Sequence, residues 1–491
     1  MSPAGNLLRS LAWCCLVPGL TSCINPVGPK YRKPDVTDIT PAQWSWQPAN
    51  PRDEAPKGEW WKIFQDDELD RLQERALTAS PNVQAAVARV EQARANARAT
   101  VADFFPDIRF KPSFKREQTS GHLPSPIPVP IPSARISSFS VPLDLNYEID
   151  LWGKLRRSTE SARATAVATV ADYHNVLLTL TADVTAQYFA LRALDSELAV
   201  LRRTIELRET SLRLMDQRLN AGAISETDHA RARSELSNAR AELADAKRRR
   251  QEIAATLALL CGEPAGQTSF AERPLGPATP VSVPAGLPAD LLERRPDIAA
   301  AERHVAARNA DIGVATAGYF PSVRLTGLAG YLSRDAESLF AADSRTWSIG
   351  PSVSLPLSGY GLIAARVRQA KATREEAVAR YRQAVLSALK DVETSLAQIR
   401  YRAEQATALA ESLAAATKAA ELTRQRYERG VVSYLELLDA DRTRMQVELR
   451  HVQVKAQQHI ASVRLIKALG GGWQENDAPT RSDRSSPAPA R

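Results

Sequence analysis

A few residues in this chain carry chemistry beyond packing, and their spacing narrows what that chemistry is. Cys23 closes the run Leu20-Thr21-Ser22-Cys23, which follows an apolar stretch from Leu11 to Leu20 and an n-region whose only charge is Arg9. The stretch is too short for a membrane-spanning helix, which needs about 20 residues. The run matches a bacterial lipobox, whose last Cys carries lipid as the first residue of the mature chain. An ordinary signal peptide with an incidental Cys is the competing reading. Glu436 and Asp439 stand one turn apart on a helix face, as do the opposite charges Asp228–Arg231 and Asp439–Arg442, which can form solvated pairs.

The remaining candidates point away from catalysis. His122 falls in a loop, while His174, His229, His304, His451 and His459 are scattered over helical segments, where surface or interface roles suit them. There is no H-E-x-x-H, no phosphate-cradling G-x-x-x-x-G-K-[ST] and no cysteine pair for a metal. The expectation is therefore no enzyme, no cofactor and no metal. Cys14 and Cys15 leave with the signal segment and Cys23 takes lipid, so Cys261 stands alone at a helix end as a small buried hydrophobe. Lys and Arg number 64 against 56 Asp and Glu, a net charge of +8. Opposite charges alternate along the chain, which argues against a nucleic-acid partner. Ile24, rather than Asp, follows the lipobox Cys, which points to the outer membrane.

The elements that position these residues are long helices. No proline occurs between Pro142 and Pro264, nor between Pro356 and Pro479, runs of 121 and 122 residues. Leu177, Val184, Leu191, Leu198, Ile205, Leu212 and Leu219 repeat every seven residues. Val385, Val392, Ile399, Ala406, Leu413, Ala420 and Tyr427 answer them at an offset of 208. Such heptads specify supercoiled packing. A helix over 158–220 would run roughly 95 Å. Gly222 and Gly430 then act as left-handed caps, and helices return to about Leu260 and Leu469. Each repeat opens with a further helix, over 67–102 and 288–317.

Shorter motifs repeat as well. Phe105-Pro106 recurs as Phe320-Pro321, and Trp152-Gly153 as Tyr360-Gly361, with a difference of seven residues between the two offsets. The proline-rich run 123–132 is the candidate for that insertion. Four segments alternate with period two, over about 107–116, 138–148, 321–332 and 346–358. Nine to eleven alternating residues suit a tilted membrane strand, apolar toward lipid and polar toward a lumen. Four strands cannot close a barrel, so several chains must contribute.

On these residues the chain resembles the TolC-like outer-membrane factors of tripartite efflux pumps, specifically the efflux lipoproteins of the NodT and OprM type. The resemblance rests on the order of several motifs: the lipobox, Gly28-Pro29-Lys30-Tyr31, Trp60-Trp61-Lys62-Ile63-Phe64, Asp150-Leu151-Trp152-Gly153, Leu438-Asp439-Ala440 and Lys467-Ala468-Leu469-Gly470. It implies a mostly α chain with a membrane β-barrel, built from a duplicated helix–hairpin–helix unit. In a homotrimer, four strands per chain make a 12-stranded β-barrel continuous with a 12-helix periplasmic α-barrel. The expected organisation is a lipoprotein signal at 1–22, an amino-terminal equatorial segment at 23–64 and repeat one at 65–264. An equatorial linker at 265–287, repeat two at 288–470 and a flexible tail at 471–491 follow.

The implied function is a passive exit duct for small molecules such as drugs, in the outer membrane and extending into the periplasm. It is driven by an inner-membrane RND-type transporter through a periplasmic adaptor. A duct for a protein-secretion system and a non-conducting coiled-coil tether are the alternatives. The resemblance also places a periplasmic gate at Glu436, Asp439, Asp228 and Thr227, with Arg442, Tyr427 and Arg231 as candidate tethers. Gly222 with Ile224, and Gly430 with Val432, sit where the family's adaptor-contacting tips lie, with Ile224 and Val432 expected as exposed apolar knobs.

Overall fold

The computed structural model describes residues 25–39, 58–118, 120, 133, 135–276 and 295–471. Cys23, the proline-rich run 123–132, the stretch 277–294 and the tail from 472 lie outside the described residues. The helices are α1 (Asp67–Ala79), α2 (Pro81–Ala102), α3 (Lys154–Asn220), α4 (Glu226–Leu260), α5 (Pro296–Ala317), α6 (Tyr360–Glu428) and α7 (Tyr434–Ala468). The strands are β1 (Asp107–Phe110), β2 (Ser113–Gln118), β3 (Arg135–Ile149), β4 (Ser322–Ser333) and β5 (Arg345–Ser354). Over the described residues they build two compact units, one from 25–35, 90–169 and 301–381, the other from 36–89, 170–300 and 382–471.

The first unit carries an antiparallel sheet in which β1 and β2 both pair with β3, β3 with β4, and β4 with β5. β1 and β2 are one ribbon interrupted at Lys111–Pro112, because Phe110 faces Leu143 and Ser113 faces Ser140 in a single register. Pro142 causes the gap. Its carbonyl accepts from the Lys111 N–H at 3.3 Å, but it has no N–H to return to the Lys111 carbonyl. In an antiparallel strand one residue's N–H and C=O point to the same neighbour. The N–H that Pro142 lacks is therefore missing on the β1/β2 side, and the β3–β4 ladder runs unbroken from Phe139–Ser333 to Ile149–Val323. The first strand, read over 107–116, is thus divided and reaches Gln118. β5 ends at Ser354 rather than 358, ahead of Pro356.

Every helix in this unit attaches at the same end of the sheet: α2 leads into β1, β3 into α3, α5 into β4 and β5 into α6. The repeated motifs form that junction. Trp152 stacks on Phe320 at 4.7 Å and donates its indole N–H to the Pro321 carbonyl at 2.8 Å. Tyr360 stacks on Tyr319 at 6.4 Å. The Gly28-Pro-Lys-Tyr segment is bolted alongside: the Val27 N–H donates to the Trp152 carbonyl at 3.0 Å, and Asn309 to the Pro29 carbonyl at 2.9 Å. Gly28 has φ +99, and a Cβ there would lie 2.5 Å from the Gly313 Cα, so no side chain fits.

In the second unit Val184, Leu191, Leu198, Val385 and Val392 of the heptad seam are fully enclosed, while Leu177, Ile205, Leu212, Leu219, Ile399, Ala406 and Leu413 are half-buried. Trp60, Trp61, Phe64, Leu69 and Leu72 pack against Tyr188, Phe189 and Leu257 in one buried core cluster. The first helix is not continuous over 67–102. Ser80 is extended (ψ 123) because a residue before proline avoids the helical region, and Pro81 restarts the helix. In the second repeat the described helix likewise opens on a proline, Pro296. Among the described residues, no helix is long and apolar enough to cross a membrane.

A buried charge network fastens the residues after α4. Arg192 pairs with Asp195 at 2.9 Å and donates to the Ala271 carbonyl at 2.9 Å. Asp195 in turn accepts from Arg250 at 2.6 Å and from the Arg273 N–H at 3.0 Å. Buried charges survive only when paired and hydrogen-bonded in this way. Cys261 is buried at the end of α4, and burial pushes its thiol up to about 11, which keeps it an inert protonated group.

Candidate functional site: the helix tips and the two faces of the sheet

Both tips have the same backbone construction. Gly222 (φ +72) and Gly430 (φ +74) end α3 and α6 in the left-handed conformation. The Ala223 N–H returns to the Arg218 carbonyl at 2.8 Å, and the Val431 N–H to the Arg426 carbonyl at 2.9 Å, which are Schellman closures. Three residues after each Gly a serine caps the next helix. Ser225 Oγ accepts from the Asp228 N–H at 3.2 Å, and Ser433 Oγ from the Glu436 N–H at 3.3 Å.

This fixes what two of the proposed gate acids do locally. Glu436 returns to the Ser433 N–H at 3.4 Å and completes a capping box. Asp228, its counterpart in the first repeat, accepts from the Ser225 hydroxyl at 3.0 Å and pairs with Arg231 at 3.6 Å. Thr227 and Asp439 are exposed. The Asp439–Arg442 pair does not form; Arg442 turns instead to Glu235, which also binds Arg208 at 3.0 Å. The Tyr427 hydroxyl accepts from Arg218 at 2.9 Å, and its ring is buried with Met215, Ala232 and Leu437. Burial raises the Tyr427 phenol, and pushes that of its neighbour Tyr434 up to about 12.

The apolar knobs are not those expected. Ile224 and Val432 are half-buried and pack against the Tyr427 cluster, whereas Val431 and Leu435 are exposed. The reason is helical phase: Val432 lies just ahead of the capping serine and folds back as a staple, so its neighbours face outward. Further along, Arg424 holds Asp441 at 3.1 Å, Arg444 holds Glu448 at 3.2 Å and Arg203 holds Glu448 at 2.7 Å around a cleft of about 250 Å³. Sequence reading missed this network: Arg444–Glu448 is a pair four residues apart within α7, but Arg424–Asp441 and Arg203–Glu448 join different helices. The S-x-x-E and S-x-x-D caps after each Gly were legible signals that it also passed over.

On the sheet, directly paired residues share a face. One face collects Phe110, Phe114, Leu143, Trp347, Ile349 and Val353, all exposed, with Trp347 at 76%. The opposite face carries serines, threonines and charges that cancel: Arg109–Asp107 at 2.6 Å, Lys115–Glu117 at 2.5 Å, Lys111–Asp144 at 3.6 Å and Arg324–Glu148 at 3.4 Å. Such a chain can present an apolar wall to lipid and a polar, charge-compensated wall to water. Among the described residues no group of His, Cys, Asp and Glu could hold a metal ion.

Comparison with known proteins agrees with this construction. Residues 72–263 and 287–471 match the family model of the outer membrane efflux protein. The chain is 34% identical over 439 residues to the pyoverdine export outer membrane protein OpmQ of Pseudomonas aeruginosa, covering 89% of this chain and 92% of that one. It is 33% identical over 454 residues to outer membrane protein OprJ of the same species, covering 91% and 93%. The solved outer-membrane channel OprN superposes with a TM-score of 0.82 at 31% identity, over 91% of this chain and 99% of that one. A duplicated helix–hairpin–helix chain with a lipid-facing sheet, matched over both repeats, belongs to the outer membrane efflux protein family and is the outer-membrane channel of an efflux system.

Proposed function

We propose that three copies of this chain close a 12-stranded barrel and a 12-helix α-barrel, forming a passive exit duct for small molecules. The observation that carries the reading is the sheet itself: four ribbons, an exposed apolar face and, within the chain, unpaired outer edges on β1/β2 and β5. An open edge is forbidden in hydrocarbon, so neighbouring copies must supply the missing ladders. Transport energy is supplied by an inner-membrane RND-type transporter, reached through a periplasmic adaptor, and this chain catalyses nothing. Cys23 bears the lipid anchor in the outer membrane.

The tips at Gly222 and Gly430 are the adaptor-contacting ends, with Val431 and Leu435 as the apolar contacts in place of Ile224 and Val432. The gate is the ring of Glu436 and Asp439 contributed by each copy. Asp228 and Thr227 border it, and Arg442 and Tyr427 brace the helices that carry it. Six acids around a narrow throat attract cations and repel anions. Planar-bilayer recording tests both parts. The purified protein should form channels, and Glu436→Ala with Asp439→Ala should raise conductance severalfold and weaken cation selectivity. A silent wild-type protein refutes the duct; unchanged conductance and selectivity in the double variant refute the gate.

A further inference from the structure

Charge is distributed unequally between the two faces of the sheet. The polar face holds four cations and four carboxylates, and each cation is paired. The apolar face carries no carboxylate on any strand, yet it holds three arginines, Arg116, Arg135 and Arg345. All three are exposed, and none has an ion-pair partner among the described residues. All three also fall at one end of the sheet: Arg116 near the end of β2, Arg135 and Arg345 at the starts of β3 and β5. That end is opposite the one where the helices attach.

Aromatic rings mark the level just inside these arginines. Phe114, two residues from Arg116 on the same face, packs on Phe139 at 4.6 Å. Trp347 lies two residues from Arg345, whose direct cross-strand partner Tyr331 packs on Phe340 at 5.4 Å. Aromatic residues girdle a membrane barrel where hydrocarbon meets headgroups. A guanidinium just beyond such a girdle, facing lipid, stands at headgroup level. Its planar fork matches phosphate oxygens bidentately. Gln118 accepts from Arg135 Nε at 3.0 Å and braces that fork at the rim.

We propose that Arg116, Arg135 and Arg345 form a binding site on the outer wall of the barrel for a phosphorylated lipid headgroup of the outer leaflet. The proposal rests on the duct reading, which puts the helices in the periplasm and this rim at the cell surface. The apolar band beside the site receives the acyl chains, and the arginines receive the phosphates. Cation on the lipid-facing wall thereby has a purpose that compensated charge on the polar wall does not.

Full-length protein reconstituted in phosphatidylcholine discs, containing either bis-phosphorylated lipid A or its phosphatase-treated form, tests this by native mass spectrometry. Wild type should retain lipid A at least tenfold better than the dephosphorylated lipid, a comparison that needs no variant. Arg116→Gln, Arg135→Gln and Arg345→Gln together should lower retention at least tenfold, and each alone should lower it measurably. Lys111→Gln with Lys115→Gln, on the polar face, should leave it unchanged. Equal retention of the two lipids, unaltered retention in the triple variant, or displacement by millimolar inorganic phosphate alone would overturn the site. Conductance is recorded on the same samples. Normal conductance without lipid preference sinks this inference only, and absent conductance sinks the duct reading beneath it.

Discussion

Removing the Glu235 carboxylate is the sharpest test of how α7 is held. Glu235 is only 7% exposed and serves two arginines from two other helices: Arg208 of α3, 12% exposed, and Arg442 of α7, 49% exposed. The two bonds look alike on paper and differ in energy. Glu235→Gln leaves the enclosed Arg208 guanidinium uncompensated, and breaking one side of a buried pair costs about 3–5 kcal/mol. Arg442→Gln removes a half-exposed partner that solvent screens, which costs about 0–1 kcal/mol. Amide hydrogen exchange over peptides spanning 226–242 reads the difference as local opening of α4. A loss of about 3 kcal/mol accelerates exchange roughly 150-fold, since each 1.4 kcal/mol is tenfold. Arg442→Gln should accelerate it less than about fivefold. Equal acceleration in the two variants, or less than fivefold in Glu235→Gln, would refute the argument that burial sets the strength of this lock.

His459 gives a pH dependence. It is buried, stacked on Phe189 at 4.6 Å, and burial together with Lys455 lowers its pKa to about 4. The unfolded chain takes the proton first, so stability is full above about pH 6.5 and falls by roughly 3 kcal/mol as pH drops toward 4. Melting curves should show that slope flattened in His459→Phe, and an identical slope in both would remove the claim. Gly330→Ala should prevent assembly, because its Cβ would lie 2.2 Å from the Val141 carbonyl oxygen inside the β3–β4 ladder; unheated gel electrophoresis showing a normal oligomer would contradict this. Gly430→Ala meets no neighbour within 4 Å and has only its φ of +74 to oppose it. It should cost about 1–2 kcal/mol, read as a small increase in exchange at the tip with assembly retained.

Helix identity, the strand pattern and the duplication were legible in the sequence because each depends on local period. Heptads, proline-free runs and two-residue alternation are properties of neighbouring residues, and Gly222 and Gly430 declare their caps without knowledge of any partner. Breaks in those elements were less legible. Ser80-Pro81 looked like part of a helix, and Pro142 divides β1 from β2 without interrupting β3, which depends on which neighbour its absent N–H would have faced.

Partner choice between distant side chains was decided only by the tertiary structure. Arg442 and Asp439 are three residues apart, and spacing alone would join them. Glu235, 207 residues earlier in the chain, takes Arg442 instead, a contact between α4 and α7 that spacing along the chain does not show. In the same way Ile224 and Val432 were readable as apolar tip residues, but whether they face a partner or their own core depends on how the caps turn the chain. The sheet shows the division most clearly. Alternation assigns residues to two faces from sequence alone, while the pairing register decides that one face balances its charges and the other gathers three arginines at one rim. Period is inherited from the backbone; register is set by which strands meet.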